Sequence, residues 1–75
     1  MNIEHLVSMA NDIGHFFDGE YGTKDSPANI ANHISRYWDP RMRIQIIAHA
    51  AAGGAGLSPT ALAAVRTLAP PPMRS

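Results

Sequence analysis

Apolar residues recur at intervals of three and four along most of this chain, which is the spacing of helices that bury one face. Strict alternation of apolar and polar positions, which is typical of a half-buried strand, is nearly absent. The pattern therefore predicts four helices, at residues 3–18, 27–37, 40–52 and 59–69.

Capping residues and glycines mark where these helices begin and end. A side chain that can accept a hydrogen bond from a free backbone N–H stands before each predicted start, and three of the four are followed by proline. These caps are Asn2, Ser26, Asp39 and Ser58. Gly19 and Gly22 predict a loop over residues 18–23, and Gly53-Gly54 can adopt the left-handed conformation that ends a helix.

The fold class expected from these signals is all-α, a compact bundle of about four short helices joined by tight loops. Its domain covers residues 1–69. Residues 70–75 begin with three prolines, which cannot continue a helix, so they predict an extended, flexible tail. A core this small supplies only about 3–5 kcal/mol of net stability. The chain is therefore stable either because its own core packs well or because a partner buries additional apolar surface.

The amino-acid composition argues against several classes of function. Lys plus Arg number 6 and Asp plus Glu number 6, whereas nucleic-acid binders usually carry an excess of positive charge. The chain has no cysteine, which excludes thiolate metal sites and iron–sulfur ligation. No apolar stretch has the length of a membrane span, and the first residues lack the pattern of a signal peptide. We therefore expect a soluble, cytoplasmic protein.

Catalytic and metal-binding chemistry is not predicted. The four histidines lie at least 10 positions apart along the chain, so no two of them share a helix face as a pair of metal ligands would. The acidic residues are scattered, and the glycine-rich segment after the third helix lacks the preceding strand and the lysine of a phosphate loop. We expect no cofactor, no metal and no catalytic residue within this chain.

Apolar residues exceed what one buried stripe per helix requires. Ile44 and Ile47 lie outside the apolar stripe of the third helix, and Met9 and Phe16 lie on a flank of the first. A surplus of this kind predicts a second buried surface, on which another protein docks. The alternative is that the third helix is central and is covered by the other three.

Residues 37–43 contain the residue types that dominate interface energetics, namely Tyr37, Trp38, Arg41 and Arg43. The two arginines lie about 200° apart around the helix, so one could fold back onto an acidic group while the other faces outward. Trp38 fits either the core of the helix junction or a partner surface. The arginines and the tight junction also leave a helix-turn-helix DNA-binding regulator as an alternative of another class.

The same segments resemble a known family. Residues 30–34, the Tyr-Trp-Asp-Pro-Arg-Met-Arg block at 37–43, and residues 52–59 resemble the delta subunit of NAD-dependent, molybdenum-containing formate dehydrogenase. Residues 6–17 are similar to the first helix of that family. The resemblance covers residues 5–69, and its two central blocks are seldom found together in helical proteins.

The resemblance implies a small non-catalytic subunit of a cytoplasmic complex. In that family the alpha subunit carries the molybdenum cofactor and iron–sulfur clusters, and the delta subunit docks on it to support assembly or stability. The alternative is a maturation factor that assists cofactor insertion and is then released. Self-association of the free chain is a further expectation. The predicted partner-binding residues are Met9, Phe16, Tyr37, Trp38, Arg41, Arg43, Ile44 and Ile47.

Overall fold

The computed structural model describes residues 2–69, and within that range the chain forms three α-helices and no strand. The helices are α1 (Ile3–Tyr37), α2 (Pro40–Ala51) and α3 (Pro59–Arg66). The all-α class is confirmed, but the predicted number of four helices is wrong, because residues 18–23 are helical except at one position. The predicted proline-rich tail, residues 70–75, lies outside the described residues.

The bend that divides α1 lies at Gly22. Its φ of 80° and ψ of 159° belong to a region of backbone conformation that only glycine adopts readily. A straight helix of this length would extend about 52 Å, yet the longest dimension of the molecule is 40 Å. A Cβ added to Gly14 would lie 3.5 Å from Ile30 Cδ1. The first arm (residues 3–21) and the second arm (residues 23–37) therefore fold back against each other.

The first arm continues past its predicted end because its last turn is supported by aromatic stacking. The rings of Phe17 and Tyr21, one turn apart, lie 5.7 Å from each other. Ser26 is not the helix cap that its sequence context predicts. It lies inside α1 and is fully buried, and its hydroxyl has no hydrogen-bond partner among the residues that the structure describes. The second arm begins at the Gly22 bend instead.

The other three predicted caps are confirmed. Asn2, Asp39 and Ser58 each accept a hydrogen bond from a backbone N–H two or three residues later, at 2.8, 3.1 and 3.2 Å respectively. Gly53 and Gly54 have φ angles of 117° and 68°, and they follow the end of α2 as predicted. These local signals fix the starts of α1, α2 and α3 at the predicted residues.

All three helices contribute to one core. α3 packs mainly against α1, whereas α2 buries only Ile46 and Ala50. Because α2 buries so little, it lies at the edge of the bundle rather than at its centre. The apolar residues buried in this core are Leu6, Ala10, Ile30, Ile34, Trp38, Ile46, Ala50, Ala61, Ala64, Val65 and Leu68.

The Asn11 side chain joins the first arm to the segment before α3. Its Nδ2 donates to the Gly56 carbonyl at 2.9 Å, and its Oδ1 accepts from the Ser58 backbone N–H, also at 2.9 Å. One amide therefore satisfies two backbone groups that have no helical partner and positions the start of α3.

We expect Gly22→Ala to lower the free energy of unfolding by about 1–3 kcal/mol, because an L side chain is strained in this backbone conformation. Gly19→Ala is the matched control. Gly19 is helical and has open space around its Cα, so alanine should stabilise the chain by about 0.5–1 kcal/mol. Urea unfolding followed by circular dichroism measures both. Equal effects of the two substitutions would contradict the bend at Gly22.

We expect Asn11→Ala to lower the free energy of unfolding by about 1–2 kcal/mol, because it leaves two backbone groups without their partner. Asn32→Ala, at an exposed helical position, should change it by less than about 0.5 kcal/mol. The same urea titration compares them. A loss at Asn11 no larger than that at Asn32 would show that the amide does not hold the segment before α3.

Candidate protein-docking surfaces

The outward side of α2 is largely apolar. Arg41, Ile44, Ala48 and Ala51 are exposed and follow one another at intervals of three and four, so they share one side of the helix. We call these four residues the α2 face. Ile44 keeps 45% of its surface exposed, although burial of such a side chain is favourable. An exposed apolar face on a small helical domain is typical of a protein-docking site.

Four of the eight predicted partner-binding residues are exposed. Arg41 and Ile44 belong to the α2 face, whereas Phe16 and Tyr37 lie on the two arms of α1. Phe16 is 60% exposed and Tyr37 is 69% exposed, which is unusual for aromatic side chains of this size. Of the four residues of the predicted apolar surplus, Phe16 on α1 and Ile44 on α2 are therefore exposed.

The other four predicted residues are less accessible. Met9 and Ile47 are half-buried and pack against the core, and Arg43 is also half-buried. Trp38 is only 4% exposed and belongs to the core. In this conformation Trp38 occupies the helix junction, which is the first of the two positions that its sequence context allowed.

Arg43 attaches the start of α2 to the end of α1. Its Nη1 donates to the Trp38 carbonyl at 2.6 Å and lies 3.4 Å from the Ser35 carbonyl. Carbonyls at the C-terminal end of a helix lack intrahelical partners and attract positive charge. One arginine does fold back, as the sequence suggested, but onto backbone carbonyls rather than onto an acidic side chain. Arg41 remains exposed.

A second surface is formed by aromatic rings from both arms of α1. The Phe17 ring lies 5.3 Å from Phe16 and 6.1 Å from His33, and His33 lies 4.8 Å from Tyr37. Tyr21 stacks on Phe17 from the same arm. We call these five residues the aromatic face. Its rings form a continuous chain of contacts that crosses between the two arms.

Phe17, Tyr21 and His33 are members of this face that the sequence interpretation missed. Phe17 also packs against the core, and Tyr21 falls within the loop predicted over residues 18–23. The signal that could have identified them is the i, i+4 spacing of Phe17 with Tyr21 and of His33 with Tyr37, which brings rings together on one side of a helix. The contact between Phe17 and His33 joins the two arms, so it depends on the bend at Gly22. The spacing of residues within one helix does not indicate it.

A shallow, mostly apolar groove of about 460 Å³ lies between the start of α1 and the segment after α2. It is lined by Ile3, Glu4, Val7, His49, Ala55 and Gly56. His49 Nε2 lies 2.7 Å from the Ala55 carbonyl and donates to it, so the ring is held by the protein itself. Among residues 2–69, no three His, Asp or Glu side chains are grouped as metal ligands.

None of the helices in the described range combines the length and the apolar character needed to cross a bilayer. The fold and its surfaces thus define a small helical protein whose exposed faces are suited to contact with other proteins. Residues 5–65 match the family model for the NADH-dependent formate dehydrogenase delta subunit FdsD. The chain belongs to this family, which confirms the predicted resemblance. No curated protein and no solved structure matches the chain.

Replacing Arg41 and Arg43 in turn distinguishes the arginine that holds the helix junction from the one that is exposed on the α2 face. We expect Arg43→Met to lower the free energy of unfolding by about 1–2 kcal/mol, because the Trp38 carbonyl loses a charged donor. Arg41→Met should change it by less than about 0.5 kcal/mol, since Arg41 is exposed. Trp38 is the sole tryptophan, so its fluorescence reports urea unfolding directly. Similar losses for both variants would contradict the assignment of Arg43 to the helix junction.

Proposed function

We propose that this chain is a non-catalytic accessory subunit that docks on the catalytic alpha subunit of a cytoplasmic NAD-dependent formate dehydrogenase. It supports the assembly or the stability of that subunit. The observation that carries the proposal is the α2 face, an exposed apolar surface on a chain that belongs to a formate dehydrogenase subunit family.

The shape and charge of the α2 face indicate the kind of surface that covers it. Ala48 and Ala51 are small, so another helix can approach α2 closely, and Ile44 supplies an apolar contact near the middle. Every acidic residue of the chain lies within its first 39 positions, which leaves α2 with Arg41 and Arg43 and no carboxylate. The covering surface is expected to be apolar, with an acidic group facing Arg41.

Three of the less accessible residues that were predicted to bind a partner instead position the α2 face. Trp38 fills the junction between α1 and α2, and Arg43 bonds to the carbonyl of the same residue. Ile47, half-buried at the edge of α2, packs against the core. Together these residues hold α2 in one orientation, which reduces the entropy lost when a partner binds.

Docking stabilises the catalytic subunit by mass action. A protein that binds only the folded form of its partner raises the partner's stability by about 2.7 kcal/mol when its free concentration is 100 times its Kd. No chemistry within the bound chain is needed for this effect. A chain of 75 residues can therefore keep a much larger subunit folded.

We expect Ile44→Asp combined with Ala48→Asp to abolish co-purification with the catalytic subunit, because two carboxylates then lie on the apolar face. The matched control combines Ala28→Asp with Ala63→Asp, which places the same two charges at exposed positions on other helices. Each tagged variant is co-expressed with the complete enzyme, and the captured alpha subunit is quantified. The control should retain it.

Full recovery of the alpha subunit with the Ile44 and Ala48 double variant would show that the α2 face is not the docking surface.

The wild-type enzyme, purified in active form, shows whether the chain stays bound after assembly. A stable subunit should be present in active enzyme at one copy per alpha subunit. Active enzyme that lacks the chain would contradict this role and would favour the released maturation factor.

A further inference from the structure

The two ends of the aromatic face carry opposite charges. On the first arm, Asp12 and Glu20 are exposed and lie four residues before and after Phe16, so both carboxylates share its side of the helix. On the second arm, the Arg36 guanidinium carbon lies 5.9 Å from the centroid of the Tyr37 ring. The face therefore has an acidic end at Phe16 and a basic end at Tyr37.

The rings between these charged ends are accessible. Phe16, Tyr21 and Tyr37 are each more than half exposed, and none of them belongs to the core. Exposed tyrosine, phenylalanine and arginine are the residue types that are enriched in protein interfaces. The face thus combines an apolar centre with a charged rim of both signs.

A face with this charge arrangement is complementary to itself. A two-fold rotation places the acidic end of one copy against the basic end of the other, and it forms the same contact twice. The formal net charge of zero means that two copies do not repel each other overall. We infer that the aromatic face is a self-association surface, on which Glu20 of one copy faces Arg36 of a second copy.

The strength of this association follows from the size of the face. It offers eight side chains, namely the five rings and the three charged residues at its ends, compared with roughly 20–30 residues per partner in a stable interface. The pairing is therefore weak and depends on concentration. None of its residues belongs to the α2 face, so the inference does not rest on the proposed docking to the catalytic subunit.

The test uses the full chain alone in sedimentation velocity experiments, from about 10 µM to about 1 mM, where weak association is measurable. Wild type should shift from monomer to dimer over this range. Glu20→Arg and Arg36→Glu each place like charges at both contacts, so each variant should remain monomeric. An equimolar mixture of the two variants should dimerise again. In the mixed dimer one contact pairs the native Glu20 with the native Arg36, and the other pairs the two substituted side chains, which also have opposite charges.

Arg66→Glu is the matched control. Arg66 and Arg36 are both exposed basic residues in the last turn of a helix, so this reversal should disturb the helix similarly without affecting dimerisation. Circular dichroism checks that each variant is folded. If a charge reversal reduces helicity, Tyr37→Ser provides a neutral second variant, which should also weaken association.

Three results would overturn the inference. They are a wild-type chain that stays monomeric at the highest concentration, association that neither the charge reversals nor Tyr37→Ser weakens, and a mixture of folded variants that stays monomeric. Because no formate dehydrogenase is present, these results leave the proposed docking untouched. Failure of the α2-face variants to disrupt co-purification would likewise leave self-association untouched.

Discussion

The structure depends on the reversal of chain direction at Gly22. An amphipathic helix that remained straight over the length of α1 could bury its stripe only against the two short helices α2 and α3. The bend brings the two arms together, so that Ile30 packs over Gly14. α3 then packs against α1, and Asn11 positions its start.

This arrangement explains why α2 remains at the edge. α1 already packs mainly against α3, and α2 adds only Ile46 and Ala50 to the core. Asp39 caps its start, and Arg43 bonds to the end of α1, which together fix its orientation. Among residues 2–69, neither α1 nor α3 covers the opposite side of α2. The exposed α2 face is therefore a consequence of the topology.

The two exposed faces differ in electrostatic character. The α2 face belongs to the part of the chain without acidic residues, whereas the aromatic face has carboxylates at one end and Arg36 at the other. The net charge of zero conceals this segregation. A surface with one sign of charge favours a different partner of opposite sign, and a surface with both signs can fit a copy of itself. One short chain thus presents two kinds of interaction surface.

The sequence by itself determined the helical class, three of the four predicted helix caps, the outward position of Ile44 and the family, because these depend on neighbours within one or two turns. Tertiary structure alone decided that the predicted loop over residues 18–23 is reduced to a bend at Gly22, and that Ser26 lies inside a helix rather than capping one. It also decided that Arg43 rather than Arg41 folds back, that Trp38 is buried and that the aromatic rings of the two arms meet. These outcomes require contacts between distant residues, and the spacing of residues along a helix carries no information about such contacts.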